Sequence, residues 1–339
     1  MDFSNCRNDD FHTYSGRNEK TQIIYNDKSY MVKYREKDHG KDVYCDFSED
    51  IACKIFKSLG FETQNTILGE LNGRDCVACE NFLKDNEVLQ EFSNFTNSSA
   101  YATDKRYTFE TIINTIENHP NIFNKEEVKE KFWKMYVVDS FLGNFDRHGG
   151  NWGFVVNAKE KYSKFAPIYD CGSCLYPQMS DKEMDKVLNN RNEIEKRIYE
   201  FPLPQIMRTD DNNKKTSYAE TINSLNYEGC NKAVEWFVKN VDFEKIDEII
   251  NNTEKISNKR KKFYSTMLKE RFNYIIKPAY EKMLEQNKDK SEIENKEEII
   301  SNNRKEMLAY REQMSVFEQK LNLADKEFEK KIPNLKNKE

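Results

Sequence analysis

Histidine is scarce in this chain, at four residues in 339. None stands in the strand-to-helix elbow that presents a nucleophilic serine, so a Ser-His-Asp hydrolase finds no support. Eight cysteines are too few and too scattered for the disulfide framework of a secreted protein. Long apolar runs are missing: no stretch approaches membrane-spanning length, and Met1-Asp2-Phe3-Ser4-Asn5-Cys6-Arg7-Asn8 lacks the apolar centre of a signal peptide. Cytoplasmic synthesis is expected, with export by a route that needs no cleaved signal left open. Positive charge is not in excess, the net charge being −5, which removes general nucleic-acid binding through a global basic field.

The stretch around which the chain is organised runs from Asp139 to Phe154. An apolar helical run stops at Gly143, and a loop then carries Asn144-Phe145-Asp146-Arg147-His148-Gly149-Gly150-Asn151. A strand-like run follows, and Ala166-Pro167-Ile168-Tyr169-Asp170 brings a second isolated aspartate. A polar turn is the blander reading, since Gly, Asn and Asp are ordinary turn residues. Asp146 and Asn151, however, keep the interval at which kinases place a hydroxyl-orienting Asp and a metal-binding Asn, and Asp170 follows an apolar strand as the second magnesium ligand would. The pattern points to phosphoryl transfer from ATP, with Mg2+ held by Asn151 and Asp170.

Upstream, residues 22–25 and 29–34 read as a β-hairpin. Its second strand carries Lys33 among apolar neighbours, as the strand lysine that pairs ATP phosphates would be carried. Only Gly16 stands where a phosphate-covering loop would have several glycines. Either backbone amides around 15–18 do that work or the loop closes only on nucleotide. Asp46-Phe47-Ser48-Glu49 has the form of a capped helix start. Ile51, Ile55, Phe56 and Leu59 then share one face until Gly60, and this helix could aim Glu49 at Lys33; the competing reading makes Glu49 only the partner in a capping box. Residues 63–68 and 75–79, joined by Asn72-Gly73, form a second hairpin. Residues 84–106 are polar and read as a loop with short helical pieces. Helices are expected near 108–118, 125–142, 181–199, 216–225, 229–239, 242–250 and 259–285, with a hairpin over 152–156 and 164–169. Asp139 is expected to be structural, Arg147 to hold the loop by pairing a carboxylate or carbonyl, and His148 either to approach the γ-phosphate or to serve as a strut.

Asn144-Phe145-Asp146-Arg147-His148-Gly149-Gly150-Asn151-Trp152-Gly153-Phe154 followed by Pro167-Ile168-Tyr169-Asp170 resembles the C-terminal kinase signature of HipA-type bacterial serine/threonine kinases, including their stand-alone members. The likeness extends more weakly over residues 20–285 and leaves out the tail. It implies an α+β, two-lobed protein-kinase-like fold with a small β-rich N-lobe, a helical C-lobe and a C-terminal helical tail. It also implies a Ser/Thr acceptor on a protein substrate, and capacity for autophosphorylation. Glu49 matches the glutamate of the family's Glu-bearing helix, and Glu80-Asn81-Phe82 resembles the hinge whose backbone contacts adenine, placing Glu80 and Phe82 at the nucleotide with Lys33, His148, Asn151 and Asp170. Asp146 would be the catalytic base. Asp170 is followed by Cys171-Gly172 rather than Phe-Gly, a departure the family tolerates. Asp-Arg-His with a following Asn also occurs in phosphoinositide-type kinases, so a kinase of a lipid or other small molecule is the alternative, and a catalytically silent nucleotide-binding interaction protein a second. Ser and Thr residues in 13–21 or 173–180 are autophosphorylation candidates, with nothing to select one.

The expected organisation is an N-lobe over 1–83, a C-lobe over 84–285 and a tail over 286–339. In the tail Ile293, Ile300, Met307, Met314, Leu321 and Phe328 recur every seven residues, with Tyr310, Phe317 and Ala324 three residues after members of the series. Self-association through 291–330 and a helix folded back on the C-lobe are both compatible with that pattern, and Pro333 ends either. Cys76-x-x-Cys79 with Cys171-x-x-Cys174 invites zinc, but the gap is long and the first pair alternates along a strand.

Overall fold

The computed structural model describes residues 1–8, 20–97, 107–157, 159, 162–207 and 215–331; the glycine-poor loop around Gly16 and the Ser/Thr candidates before residue 20 lie outside them. Two units are present, Met1–Glu281 and Lys282–Glu339.

The first unit begins with β1 (Arg7–Asn8), β2 (Lys20–Tyr25) and β3 (Lys28–Tyr34), followed by a small hairpin of β4 (Glu36–Asp38) and β5 (Lys41–Val43). Helix α1 (Cys45–Ser58) comes next, then β6 (Thr66–Leu71) and β7 (Arg74–Glu80). The main sheet has the order β1-β2-β3-β7-β6, antiparallel throughout. Both of its tight hairpins close through two residues of positive φ, Asn26-Asp27 and Asn72-Gly73, the backbone twist that suits right-twisted strands. One face buries Phe3, Ile23, Tyr30, Val32, Tyr34, Leu71, Cys76 and Ala78. Alternation along β3 sends Lys33 to the other face, where α1 packs on β6 and β7.

A connector holds β8 (Glu87–Glu91) and α2 (Phe92–Asn97), where the sequence suggests only loop and helical pieces. The strand exists because β9 (Gly153–Asn157) offers it an edge; with β10 (Tyr162–Phe165) they form a sheet of order β10-β9-β8. Between them lie α3 (Phe109–Asn118) and α4 (Lys125–Leu142). Helix α4 is buried on several sides, with Trp133 and Val137 inside as well as the expected Val128, Phe132, Met135, Tyr136 and Val138. Gly229 permits part of this: a Cβ there would stand 2.3 Å from the Trp133 ring, so α8 approaches α4 as only glycine allows. The remaining helices are α5 (Asp181–Leu188), α6 (Arg191–Tyr199), α7 (Tyr218–Asn223), α8 (Glu228–Asn240), α9 (Phe243–Asn252), α10 (Asn258–Arg271), a π-helical turn at Phe272–Ile276, and α11 (Lys277–Lys331). The single helix expected over 181–199 is two, because Asn190 caps a new start by accepting from the Asn192 amide. The one expected over 259–285 is interrupted by the π turn and then continues into the tail.

The strand and helical regions are joined by more than the chain. Ile168 N–H donates to Glu62 O and Gln64 N–H to Ile168 O, both at 2.8 Å, forming a parallel bridge between Thr63 and Ile168. Helix α1 also touches α9.

Candidate active site

Lys33 Nζ donates to Glu49 Oε2 at 3.1 Å and to Asp170 Oδ1 at 3.0 Å, joining β3, α1 and the segment after β10 at one point. Glu49 is 1% exposed and Asp170 45%, so the ammonium is held from inside by one carboxylate and from the solvent side by the other. Burial works against the lysine's charge, but Asp170 and Glu49 outweigh it and hold its pKa well above the ordinary value. The Lys33 charge correspondingly holds Asp170 below the usual carboxylate range, whereas burial raises Glu49 despite the same partner. Asp170 adopts φ +54°, a left-handed conformation that aspartate tolerates better than most residues.

The capping-box reading of Glu49 is corrected by this geometry. Helix α1 starts at Cys45, its N-cap Tyr44 makes no side-chain cap bond, and Asp46 lies in the first turn. Asp46 is diverted to Arg35, whose Nε and Nη2 it accepts at 3.2 and 2.7 Å.

The loop after α4 is held from behind. Arg147 Nε and Nη2 donate to the two oxygens of Asp139 at 2.9 and 3.1 Å, and both side chains are buried. Arg147 Nη1 reaches Asn151 O at 2.6 Å and Tyr169 O at 2.7 Å, and Nη2 reaches Cys171 Sγ at 3.3 Å. One guanidinium thus fixes the distance between the Asp146 loop and the Asp170 segment. The expected structural roles of Asp139 and Arg147 are both observed. Asn144 adds a step that the sequence reading missed: its amide donates to Asp139 at 2.8 Å and its oxygen accepts the Asp146 N–H at 3.0 Å. An Asn two residues ahead of an Asp in a turn is a legible sign of such an Asx contact.

Asp146 is half-exposed. Asn151 Nδ2 donates to its carbonyl at 2.8 Å and stands 3.4 Å from Oδ2. Burial raises the Asp146 pKa and the Asp170 charge adds to it, opposed by His148. His148 Nδ1 accepts the Gly150 N–H at 2.9 Å, and Nε2 lies 4.0 Å from Asp146 Oδ2, an arrangement in which the ring braces the loop. The Asn151 amide nitrogen is committed to Asp146, which leaves its carbonyl oxygen and the Asp170 carboxylate as hard oxygen donors. That donor set fits magnesium.

Glu80 ends β7. Its carboxylate is taken by Lys28 at 2.8 Å, Tyr30 at 3.3 Å and Asn65 at 3.3 Å, its amide donates to Asn65 O, and its carbonyl accepts from Gln64 Nε2 at 3.1 Å. Phe82 faces Tyr169 at 6.1 Å between ring centroids. Tyr169, which the sequence reading left unassigned, also donates from its hydroxyl to Gly150 O at 3.1 Å. Cys76 joins the apolar cluster on one face of the sheet and Cys79 lies on the Lys33 side, so the pair cannot converge on one ion.

A profile of the HipA-like C-terminal domain matches residues 13–258. The chain is 37% identical over 292 residues to the serine/threonine-protein kinase CtkA of Helicobacter pylori strain J99, covering 84% of this chain and 89% of that protein. The crystal structure of the H. pylori proinflammatory kinase CtkA matches with a TM-score of 0.77 at 36% identity, over 85% of this chain and 99% of that one. A Shewanella oneidensis MR-1 HipA, solved with HipB and operator DNA, matches with a TM-score of 0.49 at 15% identity, over 80% of this chain and 68% of that one. The fold is the two-lobed α+β arrangement expected of a kinase, and the chain belongs to the HipA-like C-terminal domain family as an enzyme of the HipA/CtkA kinase type.

Proposed function

We propose that the protein transfers the γ-phosphoryl group of ATP, with Mg2+, to a serine or threonine hydroxyl of a protein acceptor, its own chain included. The observation that carries this reading is Lys33 held between Glu49 and Asp170 while one arginine ties that aspartate's segment to the Asp146 loop. Magnesium would neutralise charge on the phosphates, and Asn151 and Asp170 are the residues to hold it. Lys33 binds the α/β-phosphates, oriented by Glu49. Asp146 accepts the proton from the acceptor hydroxyl as the new O–P bond forms and the β–γ bridge breaks to release ADP. Phe82 and Tyr169 supply an aromatic wall for the base, and the main chain after Glu80 its polar contacts. Among the candidate acceptors, Ser180 already caps α5 in a reciprocal box with Glu183, which leaves Ser173 as the freer serine of that segment.

Incubation of wild-type protein and Asp170→Ala with magnesium-ATP and a generic protein acceptor, with phosphosite mapping, tests the proposal. Phosphoserine or phosphothreonine on wild type alone is expected. Nucleotide binding without any phosphoprotein would redirect the reading to a small-molecule acceptor, and no nucleotide binding would overturn it.

A further inference from the structure

The tail carries information that the catalytic reading does not use. The family match ends at residue 258, and α11 then runs unbroken to Lys331. From Ile300 the a positions are Ile300, Met307, Met314, Leu321 and Phe328, and the d positions from 310 are Tyr310, Phe317 and Ala324. Three heptads apolar at both positions, with Ile300 and Phe328 extending the a series on either side, reach the length at which an a/d seam becomes a coiled coil rather than a chance stripe. Ile300 and Met307 are 55% and 59% exposed, as are the off-seam Leu308, Val316 and Leu323 at 60%, 51% and 63%, so α11 carries apolar surface along this stretch.

The flanking charges fit a second copy of this chain, and the parallel arrangement makes the pairings that the charge-swap test below can separate from an antiparallel one. In a parallel pair each g residue faces the e residue five positions on in the other strand. Glu306 then meets Arg311, and Lys320 meets Asp325, each twice by symmetry. Gln313 with Glu318 is neutral toward pairing, and Ile299 with Arg304 brings no like charges together. The earlier Glu292 and Glu297 would oppose like charges, which places the start of the seam at Ile300 and not before. We infer that residues 300–328 form a parallel, in-register, two-stranded coiled coil with a second copy of this chain. The inference stands apart from the phosphotransfer reading, because no residue of the Lys33–Asp170 site takes part.

Sedimentation and light scattering of the full-length chain provide the test, with three variants. Wild type should behave as a dimer of the 40.4 kDa chain. Met314→Glu with Leu321→Glu should give monomer. Glu306→Arg sets two like-charged pairs in place of two attractive ones and should weaken dimerisation by about tenfold or more. Adding Arg311→Glu to it should restore affinity to within about threefold of wild type. Nucleotide binding measured in parallel shows that each variant is folded. A wild-type monomer at tens of micromolar, a trimer or larger, or a dimer unmoved by the core substitutions overturns the inference. So does a dimer weakened by the core substitutions that neither falls with Glu306→Arg nor recovers in the charge-swapped pair.

Discussion

Asp146→Asn keeps the size of the side chain and removes the proposed base, so turnover should fall by about 10²–10⁴-fold while nucleotide affinity stays within about threefold; steady-state kinetics beside a binding titration distinguishes the two. Burial and the nearby Asp170 raise the Asp146 pKa, and in the proposed mechanism only the ionised form can accept the proton. Activity should therefore climb with pH through a value above that of an exposed aspartate, and the residual activity of the Asn variant should lack that acidic limb. Behind the loop, Asp139→Ala leaves the buried Arg147 guanidinium without its carboxylate. Removing one member of such a pair costs about 3–5 kcal/mol, measurable by urea unfolding. At temperatures where the variant is still folded, kcat should drop more than nucleotide affinity, since Arg147 is buried behind the loop it positions. These residues differ in how legible they were. Asp146, Asn151 and Asp170, the residues proposed for proton transfer and magnesium, stand out in the sequence because they fall along one stretch at a kinase-like spacing. Tyr169 lies on the same stretch but was left unassigned, because its ring partner Phe82 comes from elsewhere in the chain.

At the scale of elements, α1 was foreseeable from Ile51, Ile55, Phe56 and Leu59, yet its first turn was misread. Asp46 had the look of a cap, and only the fold shows Arg35 claiming it. Strand β8 was hidden for a related reason. Its pattern runs against hydrophobicity: Glu87 is buried and bonded to Tyr162, while Val88 is 58% exposed. The edge of β9 sets its register, and a single-sequence reading has no access to that partner. The function of α1 as the holder of Lys33 has its own test. Glu49→Gln keeps the shape and removes the inner carboxylate's charge, so the lysine is left with Asp170 alone; nucleotide affinity should weaken by about tenfold, ~1.4 kcal/mol, by calorimetric titration. Unchanged affinity would show that Asp170 suffices to place the lysine.

For the molecule as a whole, the boundary between the two units falls near residue 281, close to the change in composition that marks the tail in the sequence. A chain ending at residue 285 should keep the cooperative unfolding of the first unit and its turnover toward a generic acceptor within about twofold, because no site residue lies beyond Asp170. Calorimetry and kinetics on that truncation check it. The bridge between Thr63 and Ile168 has a consequence of another kind. Two main-chain bonds fasten the exit of the Glu49 helix to the segment that leads into Asp170, so neither group can wander without breaking both. The amides of Gln64 and Ile168 should then exchange with deuterated solvent together, and as slowly as the interior of α4, marking a seam that opens only when the first unit itself comes apart.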